Sequence, residues 1–398
     1  MSIVAIGSYH SFLSGWQFEY TSDYQLKSTQ LFGFKAGEKC IKTIGISPKY
    51  LAIGGTDDLV RLYDLTIRRE VCTLNQHSGT VTKIVIQDNE MVCASEDGTI
   101  TFYKLSQNSV ELVNQINVDK KTVNDVAIDS TGKICLCLGP KTMYVVDLFR
   151  GKVPFKRELD YEPETINWVH GDDYFAISSK NVIHVYNKKF EEYKILECDK
   201  NQMLRVVSSF DNVLIAGTEK GEVITWNFTT EEEMKEEIEK EEEEKKQLEE
   251  IMKKTKNAKL EMKQPKEKKE KETKEMKEKK EEDDEFSISE EDEVEGVDLN
   301  VEYNEKEENE KENDDISDEE EDDDELEEEE IEFEYPYKQV MKVKDGRIRG
   351  VEQMIVGEWV GYSVGFSDGS FVIIDTEGNV QLEMETGMRI TAMGTTSW

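Results

Sequence analysis

The stretch ASEDGTITFYKL, residues 94–105, decides the fold of this 398-residue chain because copies of it recur along the sequence. It has the chemistry of a β-hairpin: an apolar run, an Asp-Gly turn, and a second run in which apolar and polar residues alternate. Clear copies are GGTDDLVRLYDL from Gly54, AGTEKGEVITWNF from Ala216 and GFSDGSFVIIDT from Gly365. Weaker copies begin at Leu138 and Ile177, and Gly7 to Trp16 supplies a seventh.

The spacing of these copies gives the length of the repeat. The large residues that close the second run of each copy are Trp16, Tyr63, Tyr103, Val146, Tyr186, Trp226 and Ile374. Their steps are 47, 40, 43, 40, 40 and 148 residues, and the last step falls to 48 without a charged block of 100 residues. A period of about 40 to 45 residues with four short strands per unit is typical of a β-propeller. The sequence therefore predicts an all-β fold with seven blades.

The two ends of the chain are predicted to share the first blade. The runs Ile3–Gly7 and Ser14–Tyr20 supply its two middle strands, and the run Arg389–Met393 supplies its innermost strand. Such closure leaves no free sheet edge for aggregation. Residues 1–230 then form blades one to five and part of blade six, and residues 333–398 complete blade six, form blade seven and close the ring.

Residues 231–332 are predicted to be a charged insertion with two parts. The chain has 88 acidic and 50 basic residues, of which 31 acidic and 2 basic residues lie between positions 281 and 330. Residues 231–280 are nearly neutral, and Glu-to-Lys pairs four residues apart predict a lone helix over 231–264. Residues 281–330 repel one another and contain few apolar side chains, so they are predicted to be disordered.

The insertion is expected to leave blade six after its third strand and to return at its fourth. This places it on the face opposite the turns at Asp57, Asp97 and Asp368. Its acidic part suits basic partners, since long-range attraction speeds association, whereas the alternative is a solubilising spacer. Three serines that precede acidic residues there, Ser287, Ser289 and Ser317, are candidate phosphorylation sites.

The cysteine pattern favours free thiols in a reducing compartment. The six cysteines form no CxxC pair, and each lies in or beside an apolar run. Cys135 and Cys137 share one strand face, but no further residue with metal-ligand spacing joins them, which disfavours zinc. The sequence shows neither a long apolar segment nor a signal peptide. These features predict a nuclear or cytosolic protein that does not enter membranes.

Four residues of blade three, His77, Ser95, Asp97 and Tyr103, are predicted to form a buried structural polar relay. A Ser, His and Asp set also suggests a hydrolase, but the spacing is that of the repeat and no GxSxG motif accompanies it. The sequence also lacks the phosphate-loop, GxGxxG and HExxH motifs. It therefore predicts no enzyme activity, no catalytic residue, no metal, no cofactor and no small-molecule substrate.

Several stretches resemble the p21-activated-kinase-interacting-protein-like family of WD40 propellers. The opening VAIGSYHSFLSGW, with Gly7 and Gly15, is similar to the start of that family, and residues 77–82 resemble its HSG-x-[IV]-T element. The most specific likeness is on blade four, where the family pattern SGK…G-x-x-KT…NL-x-x-G[RK]-x-x-F is matched. The matching positions are Lys133, Lys141, Thr142, Gly151, Lys152 and Phe155.

The resemblance implies a nucleolar scaffold protein in the biogenesis of the large ribosomal subunit. Its partners would be basic ribosomal proteins and assembly factors in pre-ribosomal particles, with pre-ribosomal RNA reached only indirectly, and the chain itself would be a monomer. The resemblance also implies a runner-up, a signalling regulator that binds and inhibits a p21-activated-type kinase. The acidic insertion suggests a second alternative, an adaptor that binds histones.

Overall fold

A computed structural model describes residues 2–21, 25–106, 109–169, 171–199, 202–228 and 337–397. These residues form 28 strands in seven antiparallel four-stranded sheets, with no helix in the part described. The predicted seven-bladed propeller is confirmed.

Each blade has four strands, which follow one another from the centre of the propeller outward. Blade one contains β28 (Ile390–Ser397), β1 (Ser2–Ser8), β2 (Phe12–Tyr20) and β3 (Leu26–Lys35). Blade two contains β4 (Ile41–Ile46), β5 (Tyr50–Gly55), β6 (Val60–Asp64) and β7 (Arg69–Leu74). Blade three contains β8 (Val81–Gln87), β9 (Glu90–Ser95), β10 (Thr99–Leu105) and β11 (Val110–Asn117). Blade four contains β12 (Asp125–Ile128), β13 (Ile134–Leu138), β14 (Thr142–Asp147) and β15 (Lys152–Glu158).

The remaining three blades follow the same order. Blade five contains β16 (Thr165–Val169), β17 (Tyr174–Ser179), β18 (Val182–Asn187) and β19 (Glu192–Glu197). Blade six contains β20 (Leu204–Phe210), β21 (Val213–Thr218), β22 (Glu222–Asn227) and β23 (Tyr337–Lys342). Blade seven contains β24 (Ile348–Val356), β25 (Trp359–Phe366), β26 (Ser370–Asp375) and β27 (Val380–Glu385).

The seven inner strands form a closed ring around a central channel. Each inner strand contacts the next, and β28 of blade one contacts β4 of blade two to close the ring. Hydrogen bonds cross these contacts: the Ile84 N–H donates to Thr43 Oγ1 at 3.0 Å, and Ser208 Oγ donates to the Val351 carbonyl at 2.7 Å. Polar side chains on the inner strands therefore fix the height of one blade against the next.

The predicted closure of blade one by the C-terminal strand is confirmed. Strand β1 lies between β2 and β28, and its pairing with β28 runs from Ser2↔Ser397 to Ser8↔Ile390. The inner strand extends past Met393 to Ser397, and the N-terminal segment also supplies the outer strand β3, which the sequence did not reveal. No residue of β3 is fully buried, so the strand lacks the apolar alternation that marked the middle strands.

Blade six is completed by residues on both sides of the insertion. Strand β22 pairs with β23 in an unbroken register from Glu222↔Lys342 to Asn227↔Tyr337. In the other six blades the pairing of the third and fourth strands shifts by a residue at the large closing position. The helix predicted over 231–264 and the disorder predicted over 281–330 lie outside the described residues.

The two faces of the propeller carry different connections, because strand direction alternates across each blade. We call the upper face the one with the turns at Asp57, Asp97 and Asp368, which join second to third strands. The lower face carries the connections between third and fourth strands, among them the one from Asn227 to Tyr337. Asn227 and Tyr337, the described residues nearest the insertion on each side, therefore lie on the lower face.

Candidate interaction site

The polar cluster of blade three is centred on His77, which lies in the link before β8. Its Nδ1 is 3.1 Å from Thr99 Oγ1 and 3.4 Å from Asp97 Oδ2, and its Nε2 is 3.0 Å from Thr101 Oγ1. Thr99 Oγ1 donates to Asp97 Oδ1 at 2.7 Å, so it accepts from the imidazole. This network assigns the proton to Nδ1 and leaves Nε2 to accept from Thr101. Burial lowers the pKa of His77, although Asp97 opposes the shift, so the ring is neutral.

Asp97 holds the upper turn of blade three in place. Desolvation raises its pKa, but hydrogen bonds from the Ser78 and Thr99 N–H groups, at 2.8 and 2.9 Å, outweigh it and leave the pKa below its usual value. The carboxylate therefore ties the turn to the link that precedes the inner strand.

Of the two other residues predicted for the relay, Ser95 joins this network, because its Oγ accepts from the Asp97 N–H at 3.1 Å, whereas Tyr103 contacts a different group. Ser95 donates to the Gly79 carbonyl at 2.9 Å, and Tyr103 donates to Gln76 Oε1 at 2.9 Å. The ring of His77 thus meets Thr101, a residue that the sequence analysis did not select. All of these contacts lie inside blade three and its preceding link. The four residues therefore stabilise the blade.

We expect Asp97→Ala to destabilise the chain far more than Asp57→Ala, although the two residues occupy the same turn in neighbouring blades. Removing Asp97 breaks charge-assisted hydrogen bonds and should cost about 2 to 3 kcal/mol of unfolding free energy. Asp57 makes only an ion pair with Arg61 and a 3.4 Å contact with the Leu59 N–H, so its loss should cost under about 1 kcal/mol. Urea unfolding of both variants measures the difference, and equal losses would contradict this account.

A second polar group lies in the central channel and joins three blades. Lys83 of β8 places Nζ 3.6 Å from Asp125 Oδ1 of β12. Asp125 also accepts from the Val126 N–H at 3.0 Å and from the Ile166 N–H of the next blade at 2.9 Å. Attraction to Asp125 raises the pKa of Lys83, and Glu352 of β24 contributes to the same effect. No sequence pattern marked this group, because its members are far apart along the chain.

The channel carboxylate Glu352 should give the chain a specific pH dependence. Burial raises its pKa to about 7, although Lys83 opposes the shift. Because the folded state then holds a proton that the unfolded chain has released, stability falls as pH rises from the unfolded pKa, about 4.3, through about 7. We expect Glu352→Gln to lose this decline, so that the variant gains in Tm relative to the natural chain between pH 5 and pH 8. Parallel Tm curves for the two proteins would refute the assignment.

The residues selected from the family-like motifs serve to pack and turn the backbone. A Cβ added at Gly7 would meet Ile41 Cγ2 at 2.7 Å, and one at Gly15 would meet the Phe32 ring at 2.2 Å. Gly151, with φ of 63°, lies in the turn after β14, and Lys152 follows it at the start of β15. The ring of Phe155 stacks on Phe190 of blade five with centroids 4.8 Å apart.

The remaining motif residues support the strands of blade four. The Lys133 N–H donates to Asp129 Oδ1 at 2.9 Å, the Lys141 carbonyl accepts from Leu159 and the Thr142 carbonyl accepts from Gly139. These backbone contacts explain why the residues recur at fixed spacing without making them a binding site. The serines Ser287, Ser289 and Ser317 lie outside the described residues.

Four of the six cysteine thiols are buried within the blades. All six cysteines are free, and burial raises the pKa of Cys93 to about 12 and that of Cys198 to about 11. Cys135 and Cys137 approach with their Sγ atoms 3.7 Å apart, but the described residues form no metal-ligand cluster around them. Nor does the described part contain a helix that could span a membrane.

Comparison with known proteins finds several relatives whose names describe interaction with a kinase. The chain is 24% identical over 157 residues to a p21-activated protein kinase-interacting protein 1-like chain of Gallus gallus, covering 39% of this chain and 42% of the relative. It is 22% identical over 183 residues to the corresponding protein of Xenopus laevis, covering 46% and 50%. The resemblance predicted from the motifs is confirmed.

A fungal relative extends the comparison. Protein MAK11 of Saccharomyces cerevisiae is 25% identical over 239 residues, which cover 52% of this chain and 56% of the relative. The chain thus spans about half the length of the curated relatives it matches, and no protein-family model matches it. Together with the seven-bladed fold, these similarities support a WD40-type propeller.

Proposed function

We propose that the chain is a non-catalytic scaffold in the biogenesis of the large ribosomal subunit and acts in the nucleolus of the nucleus. The observation that carries the proposal is the similarity to MAK11 and to the kinase-interacting-protein-like chains, joined to the motif run on blade four. That run includes Lys133, Lys141 and Gly151, which the structure uses to build the blade. A scaffold requires a stable blade and does not require a reaction centre.

The charge of the insertion supports basic proteins as the partners. Residues 281–330 carry 31 acidic and 2 basic side chains, and the strands that flank the insertion, β22 and β23, end and begin on the lower face. Such a segment attracts lysine- and arginine-rich ribosomal proteins over long range and repels bare nucleic acid. Pre-ribosomal RNA would therefore be reached through bound proteins, while the upper face is left for a different partner.

The proposed scaffold has no catalytic activity, because its buried polar groups are held in hydrogen bonds or are poor nucleophiles. His77 is neutral and held on both ring nitrogens, and Cys93 has a raised pKa, which makes it a weak nucleophile at neutral pH. Asp125 is occupied by hydrogen bonds that join blades four and five. His77 thus supports the inside of blade three, and Asp125 supports the contact between blades four and five.

A kinase regulator is the second candidate, because the names of several relatives favour it. Besides the kinase-interacting-protein-like chains, Shk1 kinase-binding protein 15 of Schizosaccharomyces pombe is 22% identical over 205 residues. The same scaffold could hold a kinase on one face. This candidate predicts a stoichiometric kinase partner that is independent of ribosomal particles.

Affinity purification of the tagged full chain at about 0.15 M salt separates the candidates, since electrostatic contacts survive at this ionic strength. We expect large-subunit precursor RNA together with ribosomal proteins and assembly factors. Recovery of a kinase without ribosomal material would favour the regulator, and recovery of histones would favour a histone-binding adaptor. Either result would overturn the proposed function. A chain lacking residues 281–330 serves as the second arm and should lose basic partners while the propeller still folds.

A further inference from the structure

Four arginines lie together at the upper mouth of the channel, in blades six, seven and one. Arg205 is the second residue of β20, and Arg349 is the second residue of β24. Arg347 and Arg389 stand immediately before β24 and β28. The three inner strands are neighbours in the ring, β20 against β24 and β24 against β28. We call these four residues the arginine cluster.

Local backbone geometry brings the cluster together. The pairing of β20 with β21 skips Arg205, and the pairing of β24 with β25 skips Arg349, so both residues occupy bulges. A bulge redirects the side chain of its unpaired residue and is common at functional rims. Arg347 and Arg349 flank the buried Ile348, and the positive charge of Arg347 acts on Arg349.

The cluster has too few anionic partners within the described residues. Arg205 and Arg347 both donate to the same oxygen of Glu219, in the upper turn of blade six. Arg349 and Arg389 form no ion pair with a described residue, and the buried Nε atoms of Arg205 and Arg349 lack a hydrogen-bond partner there. The charge of Arg205 acts to lower the pKa of Glu164, but the two side chains form no ion pair.

Repulsion within the cluster is visible at Arg349. Its pKa is lowered by desolvation first and then by Arg347, Arg389 and Arg205, while Glu219 opposes the shift. Four guanidinium groups with one shared carboxylate leave a compact excess of positive charge on a chain that is acidic overall. Arrangements of this kind are stabilised by an anion that several guanidinium groups can share.

We propose that the arginine cluster binds a phosphorylated side chain of a partner peptide at the upper face. A phosphate carries nearly two negative charges and three oxygen acceptors, enough for donors that come from three blades. A carboxylate has two oxygens and one charge, which Glu219 already supplies. An RNA strand needs a basic track along its backbone, whereas the upper turns of blades six and seven carry Glu219 and Asp368. This inference does not depend on the ribosomal role.

The test uses fluorescence anisotropy with the full chain and two labelled peptide libraries. Both libraries have mixed flanking residues, and the central residue is phosphoserine in one and serine in the other. We expect at least about tenfold tighter binding of the phosphoserine library, because each charge-assisted hydrogen bond contributes a factor of this size. Arg349→Ala with Arg389→Ala should reduce binding to the level of the serine library.

The control removes two cations from the lower face, Arg150→Ala with Lys188→Ala, and should bind like the natural chain. Arg389→Glu provides a single change at an exposed residue, so that loss of binding can be separated from loss of folding by circular dichroism. Equal binding of the two libraries, or equal binding by the cluster variant and the control, would overturn the proposal. Binding of a labelled oligouridine, but not phosphopeptide, that requires Arg349 and Arg389 would overturn it in favour of nucleic acid.

Discussion

A chain that ends at Glu385 should fail to fold into a stable propeller. It lacks β28, which supplies the inner strand of blade one and contacts both β24 and β4. Ile390, Ala392 and Met393 are buried, and burial of such side chains stabilises a protein by about 1.5 to 3 kcal/mol for each large one. With the lost strand hydrogen bonds, we expect a deficit above about 5 kcal/mol, which is comparable to the whole stability of a domain.

Addition of a synthetic peptide spanning residues 386–398 provides the control for this truncation. The peptide should restore the cooperative thermal transition, because β1 then regains its partner along Ser2 to Ser8. Circular dichroism and differential scanning calorimetry measure the recovery. A truncated chain that melts at the same Tm as the full chain would disprove closure of the ring by β28.

The second large effect is expected from Asp125→Ala in the channel. The change leaves the buried Ile166 N–H without an acceptor and Lys83 without its nearest carboxylate. Loss of a buried acceptor of this kind costs about 3 kcal/mol or more. The free energy of unfolding in urea should fall by that amount, and blades four and five should exchange amide hydrogens faster than blade two.

Thr43→Val is the matched control for Asp125→Ala. Thr43 has the same role between blades two and three, where it accepts a single hydrogen bond from the Ile84 N–H at 3.0 Å. Its loss should cost only about 1 kcal/mol, the net contribution of one neutral hydrogen bond. If Thr43→Val proved as damaging as Asp125→Ala, the charge network would have no special part in holding the ring.

The blades were predictable because their signals are local. The Asp-Gly turn of ASEDGTITFYKL and the regular step between closing residues such as Tyr63, Tyr103 and Trp226 depend on residues close in sequence. Closure by the C-terminal strand could also be inferred, because each blade of a propeller needs four strands and the N-terminal segment lacks an inner strand of its own. The outer strand β3 escaped prediction because its burial is too slight to impose a period.

The polar groups inside the ring were harder to predict. His77 and Asp97 were selected because their spacing follows the repeat, but the contact of His77 with Thr101 depends on the twist between strands. Lys83, Asp125 and Glu352 come from three blades, so their meeting depends on ring closure rather than on any local pattern. The only local signal was a charged residue within an apolar strand, as in VTKIVIQ of β8.

Sedimentation of a cell lysate through a sucrose gradient tests the proposed scaffold role most directly. We predict that the tagged full chain sediments with large-subunit precursor particles and moves to the top of the gradient after ribonuclease treatment. The propeller would then be bound to an assembling particle through proteins that the RNA holds together. A chain that stays at the top of the untreated gradient, alone or with a kinase, would contradict this role.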